Sequence, residues 1–243
     1  MPTTPYVISV IFLATLIRST FGFGEALVAV PLLALRLPVA IAAPLAVAIS
    51  VLVAAVIILQ DWRQIQVRSA TGLFISSLLG IPLGLLMLAK IDDHLVKLIL
   101  GLIIIAFSLW SLLSRSTPHL KHDHPLLLLV TGFISGILGG AYGMNGPPLA
   151  IYGSLRRWSP QHFRATLQGY FLPASLAGLL GYLSIGLLTK PVLRDFLLSL
   201  PTALAAILLG RYLNHRLHGH HFFRLVYAGL VVIGSILAFQ SIR

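Results

Sequence analysis

Apolar runs of about 20 residues follow one another along the whole chain, and each matches the roughly 30 Å hydrocarbon core of a bilayer when helical. Between them charge is scarce: 9% of the 243 residues are charged and 58% are hydrophobic. A soluble domain carries roughly 25% charged residues, so these few cannot cover a water-facing surface, and lipid is the solvent that fits. A β-barrel would show segments of about 10 residues alternating in polarity; the chain lacks that pattern. The pattern predicts an all-α polytopic membrane protein. With no Lys or Arg in Met1 to Tyr6, no cleavable signal peptide is expected.

The absence of cysteine excludes disulfides, iron–sulfur clusters and thiolate zinc sites. A net charge of +11 resembles a nucleic-acid signal. Charges that flank membrane spans and orient them explain it better, so no nucleic-acid partner is expected.

The apolar segments fall into two matching sets. The first holds Tyr6 to Thr20, Ala26 to Leu35, Val39 to Leu59, Ser69 to Ala89 and Leu95 to Leu113. After a polar linker come Leu126 to Ala141, Pro147 to Leu155, Phe163 to Leu183, Val192 to Gly210 and Phe222 to Phe239. An offset of 121 residues superimposes the sets without gaps over 70 or so positions, placing Gly22 on Gly143, Phe21 on Tyr142, Phe74 on Asp195 and Lys90 on Arg211. Extra residues around His218 shift the last helix. The expected division is residues 1–113, a linker 114–125, and residues 126–243. Such internal repeats are typical of secondary transporters.

The first two segments of each set are short, about 22 and 15 Å at 1.5 Å per residue. Phe21-Gly22-Phe23-Gly24 separates one pair and Tyr142-Gly143-Met144-Asn145-Gly146 the other. Glycines so spaced break a helix. Each pair is therefore either one broken spanning helix, giving parallel repeats, or a re-entrant hairpin turning at mid-membrane, giving inverted ones. The hairpin puts 10 Lys and Arg residues on one side and 6 on the other; the broken helix gives 9 against 7. The positive-inside rule thus favours hairpins, with both termini outside. The expected fold is two homologous repeats, each a glycine-broken helix pair plus three transmembrane helices, in inverted orientation.

Non-helical backbone at membrane depth needs protein or water around it, so the two breaks should face an internal cavity. A short helix starts at each break, and its free N–H groups and positive dipole end make an anion site. Candidate substrate contacts at the breaks are Gly22, Gly24, Gly143, Asn145 and Gly146. Arg18 and Glu25 flank the first break, and Glu25 is the only glutamate in the chain. A charge inside a membrane segment costs at least about 2.5–3.5 kcal/mol on insertion scales. Either the two form an ion pair that fixes the break, or Arg18 contacts an anion and Glu25 carries a proton. Arg164 and Gln168, four apart on one helix face, form a second polar wall or an interface anchor. Ser50, on the matching helix of the first set, is a weaker candidate.

Histidines cluster at 119, 122 and 124 and at 215, 218, 220 and 221, without regularly spaced acidic partners; solvated loops are the expected reading, with no metal and no cofactor. Asp61-Trp62-Arg63 has the character of an interfacial anchor. No His-Glu-x-x-His, Walker loop or Gly-x-Ser-x-Gly is present, so the chain is not expected to be an enzyme.

These motifs resemble the TauE/SafE family, also called the sulfite exporter or 4-toluene sulfonate uptake permease family. The resemblance rests on Phe21-Gly22-Phe23-Gly24-Glu25 with Pro31, and on Tyr142-Gly143-Met144-Asn145-Gly146-Pro147-Pro148. It extends to Arg164-Ala165-Thr166-Leu167, to Tyr170-Phe171-Leu172, and to the helices ending in Lys90 and Arg211. It implies a multi-pass carrier in a bacterial inner membrane for sulfite, sulfonates, sulfoacetate or short carboxylates. Glu25 stands where a third glycine is common, and Asn145 is a second departure, both where selectivity would be set. The expected partners are a small anion, the lipid bilayer and, if transport is coupled, protons through Glu25; a homo-oligomer is compatible with this. An anion channel, or a cation or metal carrier using Glu25 and the histidines, is the alternative.

Overall fold

The computed structural model describes residues 3–61, 65–113, 120, 124–214 and 220–242. Trp62 and Arg63, the linker other than Leu120, His124 and Pro125, and His119, His122, His215 and His218 lie outside the described residues. The described chain is all-α. Its helices are α1 (Thr3–Phe21), α2 (Glu25–Ala34), α3 (Val39–Asp61), α4 (Val67–Lys90), α5 (Asp93–Leu113), α6 (Pro125–Tyr142), α7 (Gly146–Leu155), α8 (Pro160–Ser184), α9 (Lys190–Asn214) and α10 (His220–Ile242).

Six of these, α1, α3, α4, α5, α6 and α9, are long and apolar enough to cross a bilayer. At 25 residues α8 is also long enough, but Arg164 and Gln168 make it the more polar span. The helix α1 has 19 residues, about 28 Å at the standard rise, and so exceeds the 15-residue apolar stretch expected. Polar residues that interrupt a hydropathy pattern do not interrupt backbone hydrogen bonding, so it starts three residues earlier. Local chemistry sets other ends. Ser159 caps α8 by accepting from the His162 amide at 3.3 Å, with Pro160 in the first turn, where proline fits. Asp93 opens α5 and accepts the Val39 amide at 2.9 Å, tying the starts of α5 and α3 together.

Both short helices fold back along the helix before them. The Tyr6 hydroxyl, near the start of α1, donates to the Leu32 carbonyl near the end of α2, and the Arg36 guanidinium lies 4.5 Å from the Tyr6 ring centre. At the other hairpin the Leu120 amide donates to Leu155 at 2.9 Å, and Arg156 donates back to the Leu120 carbonyl at 2.8 Å. A continuous broken helix would place Tyr6 and Leu32 some 39 Å apart.

The two sets interlock. Helix α1 packs on α9, and α6 packs on α4; the 121-residue offset turns each of these pairs into the other. The pairs α3–α8 and α5–α10 map onto themselves. Helices α1, α2, α3 and α9 pack together, as do α4, α6, α7 and α8; these two groups, called bodies below, meet along α3–α8, and α5–α10 forms a third pair. Each body therefore mixes both sets. The α4–α6 seam is a backbone contact: a Cβ at Gly80, Gly84, Gly132, Gly136 or Gly140 would run into a carbonyl of the facing helix. Small residues permit such approach between membrane helices, where dispersion rather than hydrophobic burial drives packing.

Candidate functional site

Tight turns at the two breaks bring distant residues together. Gly22 and Gly24 have φ of 89° and 99°, and Gly143 has 66°, a region that costs other L-residues about 1–2 kcal/mol. The chain can therefore reverse there and start α2 and α7 inside the protein. Their first residues, with residues from the middle of α3 and α8, line one cavity. Arg18, Phe23, Gly24, Glu25 and Ser50 come from one body; Met144, Asn145, Gly146, Pro147, Phe171 and Ser175 come from the other. The cavity holds about 360 Å³ of unfilled space including its open side. Ser50 is the central residue of α3, as far from Val39 as from Asp61, so the cavity lies midway along the spans.

Arg18 organises the site. It is 3% exposed, and Glu25 is 2% exposed. The guanidinium donates to the Glu25 carboxylate, to Ser50 Oγ at 2.5 Å and to Gln168 Oε1 at 2.8 Å. It lies 4.9 Å from the centre of the Phe171 ring. Gln168 in turn donates to the Gly22 carbonyl at 2.5 Å, and Ser50 Oγ meets Ser175 Oγ at 3.1 Å. Burying a charge pair is tolerated when its remaining hydrogen bonds are made, and these polar neighbours make most of them. Three buried polar atoms on the cavity residues have no partner among the described residues: Arg18 Nε, Glu25 Oε1 and Asn145 Oδ1.

The second break is held differently. Ser135 Oγ donates to the Asn145 carbonyl at 2.7 Å and meets Tyr170 Oη at 3.0 Å. Tyr182 donates to the Gly140 carbonyl at 2.9 Å. The two helix N-termini do not offer the same donors. Pro147 and Pro148 occupy the first turn of α7 and have no N–H to offer. The first turn of α2 keeps its donors but already carries the Glu25 carboxylate.

Gly22 sits against Arg164, whose Cγ would be 2.8 Å from an added Cβ. Gly143 sits against Val47, whose Cγ2 would be 2.7 Å away. Arg164 and Gln168 are thus in register with Ala43 and Val47 under the 121-residue offset. The same offset carries Arg18 to Gly139 and Glu25 to Gly146. The polar site is therefore asymmetric with respect to that offset.

Of the residues singled out from sequence, Arg18, Gly24, Glu25, Ser50, Gly143, Asn145 and Gly146 line the cavity. Gln168 joins through Arg18. Gly22 forms the turn, and Arg164 packs on it outside the cavity lining. Sequence reasoning missed Phe171 and Ser175. Both lie on the Gln168 face of α8, three and seven residues further on, so extending that face would have found them. Among the described residues no group of three or more His, Asp or Glu could hold a metal ion.

Comparison with known proteins gives two matches. The family model described as Sulfite exporter TauE/SafE matches residues 7–237. A protein of Cupriavidus necator described as a probable sulfite/organosulfonate exporter TauE is 27% identical over 182 residues, 75% of this chain and 70% of that protein. No solved structure matches.

Proposed function

Because the chain belongs to the TauE/SafE sulfite exporter family, and is an integral multi-pass membrane transport protein of the bacterial inner membrane rather than an enzyme, we propose that it is a secondary transporter of a small sulfur-containing or organic anion. Sulfite, sulfonates, sulfoacetate and short carboxylates are the candidate substrates. The observation that carries this reading is the buried Arg18 at a central cavity formed between two glycine turns. An arginine at membrane depth is costly and is kept where it has a charged partner or substrate.

In this reading the anion's oxygens meet Arg18, the amides at the start of α2 and the Asn145 side chain. Ser50 and Gln168 orient Arg18, and Glu25 couples transport to protons. The hairpins α1–α2 and α6–α7 are re-entrant, and residues 1–113 and 126–243, joined by the linker 114–125, form inverted repeats. The hydrogen bonds Tyr6–Leu32 and Leu120–Leu155 support this, since a hairpin returns to its own side and leaves three spans to reverse the orientation. Alternating access comes from movement of one body against the other about the cavity.

Uptake of sulfite, methanesulfonate, sulfoacetate and acetate into proteoliposomes tests the function. Saturable uptake of at least one is expected, and its loss in Arg18→Ala. Uptake of a divalent metal and of none of these anions would overturn the reading, and unsaturable flux would point to a channel. Tags on both termini test the topology: both should be accessible from outside.

A further inference from the structure

The charge inventory of the cavity goes further than the identity of the substrate class. Among the described residues, Arg18 and Glu25 are the only charged ones that line it. The helices packed on α2 carry other ionisable groups among the residues whose side chains are described. These are Tyr6 on α1, Asp93, His94 and Lys97 on α5, Tyr152 on α7, and Tyr227 on α10; none of them lines the cavity. Arg164 lies against Gly22, outside it. The site as it stands is therefore a neutral pair. Glu25 is also the first residue of α2, so its carboxylate already matches the positive end of that helix.

An anion entering this site meets an arginine whose charge is spent. With Glu25 ionised, the loaded cavity would carry a net negative charge at membrane depth, among the costliest states a buried site can adopt. The two unpartnered atoms indicate the relief. Arg18 Nε is a donor without an acceptor, and Glu25 Oε1 an acceptor without a donor. An oxyanion completes the first and a proton the second.

We propose that the site moves one proton with each monovalent anion, so that Arg18, protonated Glu25 and the anion cross as an electrically neutral set. This rests on the anion-transport reading and adds its stoichiometry and the charge of the substrate. On the loading side a proton passes from water to Glu25, which releases Arg18 to the anion. On the far side the anion leaves, Glu25 returns its proton to water and the ion pair re-forms. The empty carrier is neutral too, so neither half of the cycle works against the membrane potential. A dianion would leave the set charged and is rejected.

Methanesulfonate is the informative probe, because a sulfonate stays a monoanion and any co-moving proton must sit on the protein. In proteoliposomes clamped with valinomycin and potassium, its net uptake should be driven by an inward proton gradient and stay unchanged when the potential is varied. In weakly buffered detergent solution one proton should be taken up per methanesulfonate bound. Apparent affinity should weaken about tenfold per pH unit on the alkaline side. Sulfoacetate as its dianion should not compete.

Glu25→Gln should abolish both the pH dependence of methanesulfonate binding and the proton uptake that accompanies it, and net uptake should become voltage-dependent because the empty site now carries the Arg18 charge. The wild-type stoichiometry stands as a separate test if that variant does not fold. Uptake that generates current, or binding without a proton, overturns the proposal and leaves anion transport intact. If sulfite, methanesulfonate, sulfoacetate and acetate are all neither bound nor taken up, the transport reading itself falls, and this proposal with it.

Discussion

At the scale of single residues, the first break shows how backbone and side chain divide the work. Gly22 and Gly24 both adopt positive φ, but their surroundings differ. A Cβ on Gly22 would collide with Arg164, whereas one on Gly24 meets only Ile17 Cγ2, at 3.5 Å. Gly24→Ala should therefore carry backbone strain alone, about 1–2 kcal/mol. Gly22→Ala should add an overpacking cost of about 1–3 kcal/mol. Thermal unfolding in detergent checks the order, and equal shifts would mean that Arg164 yields without cost. The glycines were legible as breaks because their spacing is unusual within an apolar run. That Gln168 reaches across to Gly22 and Arg18 was not, because 146 and 150 residues separate the partners.

At the scale of elements, the α4–α6 seam is the closest contact between helices of different sets. Gly80 and Gly136 face backbone carbonyls that cannot rotate away. Alanine at either should force the helices apart and lower stability by at least about 1–3 kcal/mol. Gly229 in α10 has nothing within 4 Å of its would-be Cβ, so Gly229→Ala should be neutral or slightly stabilising, since alanine is the better helix former. Monodisperse yield in detergent reads this contrast; similar losses at all three positions would deny the seam its special role. The existence and order of ten helices followed from hydropathy. Their ends did not, because polar first and last turns such as Thr3 to Pro5 and Arg211 to Asn214 continue the hydrogen-bond ladder without an apolar signal.

At the scale of the molecule, the bodies that meet at the cavity are not the two sequence repeats. Ser50 and Ser175 touch across their boundary at 3.1 Å, and Phe23 packs edge-on to Phe163 with ring centres 5.7 Å apart. Thr20 and Asn214 instead touch within one body, on α1 and α9. The natural chain has no cysteine, so paired cysteines report cleanly. A disulfide between Ser50→Cys and Ser175→Cys should abolish transport and reduction should restore it, whereas one between Thr20→Cys and Asn214→Cys should leave transport in place. Comparing oxidised and reduced states of the same variant cancels any loss caused by the serine itself. Transport that survives the Ser50–Ser175 link would show that this boundary does not open.

The linear chain by itself determined the solvent, the helical class and the positions of the two glycine turns, because each is written in local composition. It also marked Arg18 and Glu25, since charges are so rare in these apolar segments that either one stands out. Tertiary structure decided which helices share a body, that the proline pair leaves α7 short of donors at its start, and that Arg18 draws Glu25, Ser50, Gln168 and Phe171 around one guanidinium. Several of those outcomes depend on packing between segments far apart in the chain, 150 residues in the case of Arg18 and Gln168. Hydropathy carries little information about such partners, because in lipid almost every helix face is apolar and only shape, small residues and a few polar atoms distinguish one neighbour from another.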